Sequence, residues 1–191
     1  MWNFIKEHSY DAVKMFVTQC AISIFGLVLA LAAGYAKNHA LQVGTSIGAS
    51  LFYLFLLYTS VWEMGAKDGI SVQHGHKKAE PLKGFYISLI ANSLNFLLAI
   101  GILLGLLISN VSFFSTLGGV CKSADIFIQS MYAGLLTIHV GAQPLNTYAF
   151  VYFLTPLPAL FICWLGYFLG TKNVRLLGPI SAPPKPKKEK K

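Results

Sequence analysis

The sequence predicts an all-α polytopic membrane protein with four transmembrane helices, and three observations carry that prediction. The 191 residues are 55% hydrophobic and only 12% charged, about half the charged fraction of an ordinary soluble domain. Four apolar stretches, at 15–36, 43–64, 84–109 and 148–170, each reach the roughly 20 residues that a helix needs to cross a hydrocarbon layer of about 30 Å. The basic residues sort by side: Lys6, Lys14, Lys67, Lys77, Lys78, Lys83, Lys172, Arg175, Lys185, Lys187, Lys188, Lys190 and Lys191 fall on one side of the four-crossing arrangement, Lys37 and Lys122 on the other. Lys and Arg accumulate on the cytoplasmic side, so both termini are expected inside, with the protein integral to the plasma membrane.

The formal charge of +8 does not point to nucleic acid. The basic residues flank apolar spans, which suits an anionic inner-leaflet lipid surface. Cys20 and Cys163 lie inside spans and Cys121 lies in the outer loop. That spacing supports neither a disulfide framework nor a zinc site.

Residues 1–14 mix aromatic and charged side chains and read as an interfacial segment leading into the first span. Ala30-Leu31-Ala32 imitates a signal-cleavage site, but the apolar run exceeds a signal core and acidic Glu7 and Asp11 precede it, so the first helix is expected to be retained. Small residues recur four apart in every span: Gly26, Ala30 and Gly34; Gly44 and Gly48; Gly101 and Gly105; Gly166 and Gly170. Each run makes a flat groove in which another helix backbone can approach closely.

In the third span Ser88, Asn92 and Asn95 share one side. An amide facing hydrocarbon is unsatisfied, so this stripe should point into the bundle, a polar cavity or a partner. In the fourth span Pro156 and Pro158 remove helical hydrogen bonds and predict a kink or short unwound segment. Between these spans the segment 124–140 is too short for a comfortable crossing and reads as an outer interfacial or re-entrant helix capped by Asp125. Residues 172–191 form a basic, Pro-rich tail, expected to be disordered, with Lys185, Lys187, Lys188, Lys190 and Lys191 held to anionic lipid.

Only the cytoplasmic loop from Glu63 to Lys83 gathers polar groups densely. Glu63 and Lys67 are spaced to pair on one helical turn, and Asp68-Gly69 then reads as a stop. His74, His76 and Glu80 form a weak metal constellation, with Lys77 and Lys78 beside it disfavouring a cation. No phosphate-binding Gly-rich loop or nucleophile elbow occurs, and no cofactor is implied. The four spans carry no ionisable group at their centres, which argues against a proton relay.

These features favour a non-catalytic protein that acts by association, as an accessory subunit of a membrane complex or as a homo-oligomer, with the small-residue grooves as contact surfaces. A small transporter or channel for a neutral or lipid-like solute is the alternative, with Ser88, Asn92, Asn95, Pro156 and Pro158 on its path. A membrane enzyme built on Glu63, Asp68, His74, His76 and Glu80 is the third.

Overall fold

The computed structural model describes residues 2–76, 78 and 80–174. Among the described residues the regular structure is helical apart from a two-stranded hairpin. Helix α1 (Trp2–Tyr35) runs unbroken from the N-terminal segment through the first span, so residues of 1–14 and the span form one rod. Lys37, in the left-handed region at φ 49°, ends the rod, and the Asn38 side chain accepts from Leu41 N–H at 3.2 Å to start α2 (His39–Gln73). Asp68-Gly69 does not stop α2, which continues to Gln73. Gly69 is retained there by packing, because a Cβ would meet the backbone of Thr171.

The third span is split into α3 (Lys83–Ala91) and α4 (Ser93–Leu107), bent by 54° about Asn92. The segment after it is also helical, but in a different register from the one expected. Helix α5 (Ser112–Ile128) begins directly after α4 and lies against it, with Gly101, Gly105 and Gly118 allowing the contact: a Cβ on Gly118 would stand 2.8 Å from Gly105 Cα. The chain then breaks at Gln129. A 3₁₀ turn (Ser130–Tyr132) and the short α6 (Ala133–Leu136) are wedged between α1 and α2. Asp125 therefore caps nothing; it sits in the last turn of α5, fully buried.

Strands β1 (His139–Val140) and β2 (Gln143–Pro144) turn the chain back at Gly141, φ 70°. The fourth span consists of α7 (Val151–Leu154) and α8 (Leu157–Thr171), separated by Thr155 and Pro156, with Pro158 in the first turn of α8. α8 packs on α2 through a small-residue seam. Cβ atoms at Gly65 and Gly170 would collide with the carbonyls of Tyr167 and Trp62.

Among the described residues three helices are long and apolar enough to cross a membrane, or four spans if the bent α3–α4 pair is one. The outside of the bundle supports lipid as its solvent. Leu31, Leu97 and Leu107 are 61%, 62% and 70% exposed, whereas Gln19, Ser88, Asn92, Asn95 and Gln129 are buried. Apolar area of this extent is not left against water by a stable monomer.

Candidate functional site

Buried polar groups of α1, the α3–α4 break and the backbone at the end of α5 form a connected cluster. Its origin is local. Asn92 places its Nδ2 2.9 Å from the Ser88 carbonyl and 3.3 Å from Ser88 Oγ, so its side chain competes for the acceptor that continues the helix. With φ −91° and ψ 4°, Asn92 leaves helical geometry and the rod bends there. Asn95, on the next turn, donates from Nδ2 to Asn92 Oδ1 at 2.9 Å and to Gln19 Oε1 at 3.2 Å. Gln19 in turn donates to the Ile128 carbonyl at 3.5 Å, and Ser23 Oγ donates to the same carbonyl.

The broken segment after α5 is held by the same logic, since its backbone has lost helical partners and must find others. Ser130 Oγ donates to the Ser23 carbonyl, and Ser46 Oγ and Ser50 Oγ donate to the Met131 carbonyl at 2.6 and 3.3 Å. Gly134 N–H donates to Ser46 Oγ at 3.0 Å. Gly26 makes room, because a Cβ there would stand 2.6 Å from Met131 Cα. Beside this segment, Gln129 Nε2 donates to Asp125 Oδ1 at 2.7 Å, with both side chains buried.

A cavity of about 180 Å³ opens between α4, α5 and the start of the fourth span, lined among others by Ile102, Gly118, Lys122, Asn146, Thr147 and Tyr152. Tyr152 is buried, and its hydroxyl donates to the Asn146 carbonyl at 3.1 Å. The ammonium of Lys122 lies 6.0 Å from the Tyr152 ring centroid. At the opposite end of the bundle a second buried group ties three elements together: Lys83 Nζ (α3) meets Asp68 Oδ2 (α2) at 2.7 Å and Tyr167 OH (α8) donates to the same oxygen at 2.9 Å.

Ser88, Asn92 and Asn95 thus face inward as one bonded file. Pro156 is buried at the α7–α8 break and Pro158 is exposed; neither hydrogen-bonds to that file. Gly26, Gly101, Gly105, Gly166 and Gly170 are contact points inside the chain, and a Cβ on Gly34 would be 3.7 Å from Gln42 Nε2. Ala30 is half-buried, and Gly44 and Gly48 meet nothing within 4 Å. His74 and His76 stack in parallel at 6.5 Å and are exposed, as is Glu80. Glu63 pairs with Lys67 at 3.0 Å on the surface. Among the described residues no group of three His, Cys, Asp or Glu could hold a metal ion. The five lipid-surface lysines of the tail lie outside the described residues.

Sequence reasoning missed Gln19, Ser23, Gln129 and Ser130, and gave Asp125 only a capping role. Gln19 and Ser23 carried a usable signal, being polar, four apart and in an apolar span. Asp125 had none, because its role depends on α5 turning back into the bundle. A buried carboxylate, Asp125, enters the bundle from the segment between the third and fourth stretches. No protein-family model, curated protein or solved structure matches the chain.

Proposed function

We propose that this is a four-crossing membrane protein with both termini cytoplasmic, whose polar core carries a small polar solute across the bilayer. The observation behind this reading is the buried cluster Gln19, Ser88, Asn92, Asn95, Asp125 and Gln129 inside a bundle whose outside is apolar. Polar groups at membrane depth are unfavourable unless they pair, and they concentrate along pathways. Depth supports the assignment. Ser23 and Asn95 each lie twelve residues from the outer ends of their helices, Tyr35 and Leu107, which at 1.5 Å per residue is about 18 Å and roughly the centre of a 30 Å layer. On this reading α5 descends from the outer surface to mid-bilayer and the chain returns through α6, a re-entrant element. Non-helical backbone at that depth is tolerated only where protein or a cavity surrounds it.

The outer cavity is the entrance. Its 180 Å³ is near the size that holds benzene and below the roughly 300–1,000 Å³ of drug-sized sites, so the solute is small. Lys122 at its wall suits a neutral or anionic solute. The bend at Asn92 is where the path would open toward the cytoplasm, because its helix already lacks regular hydrogen bonding there.

The test is permeability. Proteoliposomes carrying the full chain, challenged with glycerol and with urea, should swell faster than empty liposomes, and Asn92→Leu with Asn95→Leu should abolish the difference. Equal swelling of parent, variant and empty vesicles rejects the reading.

Association with a protein partner or a second copy is a second reading, favoured by one observation. Gly44 and Gly48 are uncovered, and Leu41, Ile47, Leu51 and Phe52 are exposed on the same helix. Cross-linking through Gly48→Cys in membranes should then trap a dimer or a hetero-adduct; monomer alone at all protein densities refutes it.

A further inference from the structure

The end of α5 holds a carboxylic acid and an amide that complete each other only when the acid carries its proton. Asp125 and Gln129 are 0% and 1% exposed. They are joined twice: Gln129 N–H donates to the Asp125 carbonyl at 2.8 Å, and Gln129 Nε2 donates to Asp125 Oδ1 at 2.7 Å. The other oxygen of each side chain, Asp125 Oδ2 and Gln129 Oε1, is buried without a partner. Two acceptors left over on one acid–amide pair lack a single hydrogen. Turning the amide over does not remove the need, because Oε1 would then take the 2.7 Å position against a carboxylate oxygen, and two acceptors approach that closely only with a proton between them.

A charged carboxylate has nothing here to hold it. Asp125 lies in the last turn of α5, whose free carbonyls make the negative end of the helix. Helix α4, packed along α5, has no titratable side chain from Ser93 to Leu107. Helix α1 meets the end of α5 through Gln19 and Ser23, and its titratable residue nearest to these is Cys20. The 3₁₀ turn packed on α5 carries Tyr132. From the fourth span Tyr152 comes within electrostatic reach of Asp125, but its hydroxyl donates to the Asn146 carbonyl. Lys122, one turn back on α5, has its ammonium 6.0 Å from the Tyr152 ring centroid. Among the described residues no basic side chain forms an ion pair with Asp125. A bridging water would supply hydrogens and leave the charge in place, whereas a proton supplies the missing hydrogen and removes the charge.

We propose that Asp125 is a proton-binding site: a proton on its Oδ2 donates to Gln129 Oε1 and locks the end of α5 to the residue where the chain breaks. When that proton leaves, a buried charge appears beside the break and the side chains keep only the Gln129 Nε2 bond, so the segment from Gln129 to Leu136 opens more readily. The site stands on this bonding pattern, whether or not the chain carries a solute.

The test reads the proton directly. Infrared spectra of the purified full chain in detergent are recorded at about pH 6, where ordinary carboxylates are ionised. The parent should show the C=O band of a protonated carboxyl group, absent from Asp125→Asn and moved to higher frequency in Gln129→Leu, which leaves the acid without its acceptor. Asp125→Asn is the permanently neutral mimic, since its amide donates to Oε1 and accepts from Nε2 at every pH. The folded chain holds one proton that the unfolded chain releases above the ordinary Asp value of about 3.9, so the stability from this pair is complete below that value and is lost as pH rises. In denaturant titrations the parent's folding equilibrium constant, taken relative to that of Asp125→Asn so that other titrations cancel, should fall about tenfold per pH unit from about pH 5 until Asp125 ionises. The parent band and its shift in Gln129→Leu decide the matter even if Asp125→Asn fails to fold. No acid band in the parent, a band unmoved in both variants, or a difference between parent and Asp125→Asn that ignores pH each overturns the site.

Discussion

Removing Asp68 should destabilise the protein far more than removing Lys83 and Asp68 together. Lys83 Nζ lies 2.7 Å from Asp68 Oδ2, with side-chain exposures of 7% and 12%, so water has little access to the ammonium when the carboxylate is deleted. Breaking such a pair on one side costs about 3–5 kcal/mol, whereas replacing both charges by apolar groups of similar volume is near neutral or better. For a chain of this size about 1 kcal/mol corresponds to roughly 2–4 °C of Tm. Asp68→Ala is expected to lower Tm by roughly 6–20 °C, Lys83→Ala by less because Asp68 keeps the Tyr167 hydroxyl, and Lys83→Met with Asp68→Leu to lie within about 4 °C of the parent. Tyr167→Phe removes a single 2.9 Å hydrogen bond to the same carboxylate and should cost about 1–2 kcal/mol. The assay is thermal unfolding of purified protein in one detergent, monitored by far-ultraviolet circular dichroism, with all five proteins on the same day. An Asp68→Ala protein within about 2 °C of the parent, or a double variant as damaged as Asp68→Ala, refutes the reasoning that a desolvated charge is the dominant cost.

Two further outcomes follow from packing and charge. Gly26→Ala should destabilise by about 1–3 kcal/mol through overpacking on the Met131 backbone, while Gly48→Ala, with open space around it, should stabilise by roughly 0.5–1 kcal/mol through helix propensity; equal effects in a chemical-denaturant titration would show that the two glycines sit in similar surroundings. A C-terminal tag should be protected from protease in intact cells and cleaved in inverted membranes, and cleavage in intact cells would reverse the topology built on the lysine distribution.

Much of the fold was legible because insertion into lipid is a composition problem. Long uncharged apolar runs with basic flanks can do little else than cross or lie in a bilayer, and the inward stripe Ser88, Asn92 and Asn95 followed from helical spacing and the cost of exposing an amide to hydrocarbon. The grooves of Gly101, Gly105, Gly166 and Gly170 were visible on the same ground, although spacing alone does not name what fills a groove; α5 and α2 do. Gly65, Gly69 and Gly134 were passed over because they lie outside the apolar stretches, where small residues suggest turns.

The primary structure by itself determined that the chain is helical, that its exterior is apolar, and which helix faces carry polar groups, since all three depend on local periodicity and transfer free energy. Tertiary structure alone decided where the segment between the third and fourth spans goes, and so it alone brought Ile128 and Ser130 against Gln19 and Ser23. The reason is that Asp125 has the same helical preference and neighbours whether α5 lies on a surface or against α4. What distinguishes the two is the close backbone approach of Gly105 to Gly118, together with the serine hydroxyls of α1 and α2 that take up the backbone from Ile128 onward, and those serine contacts join residues more than eighty positions apart.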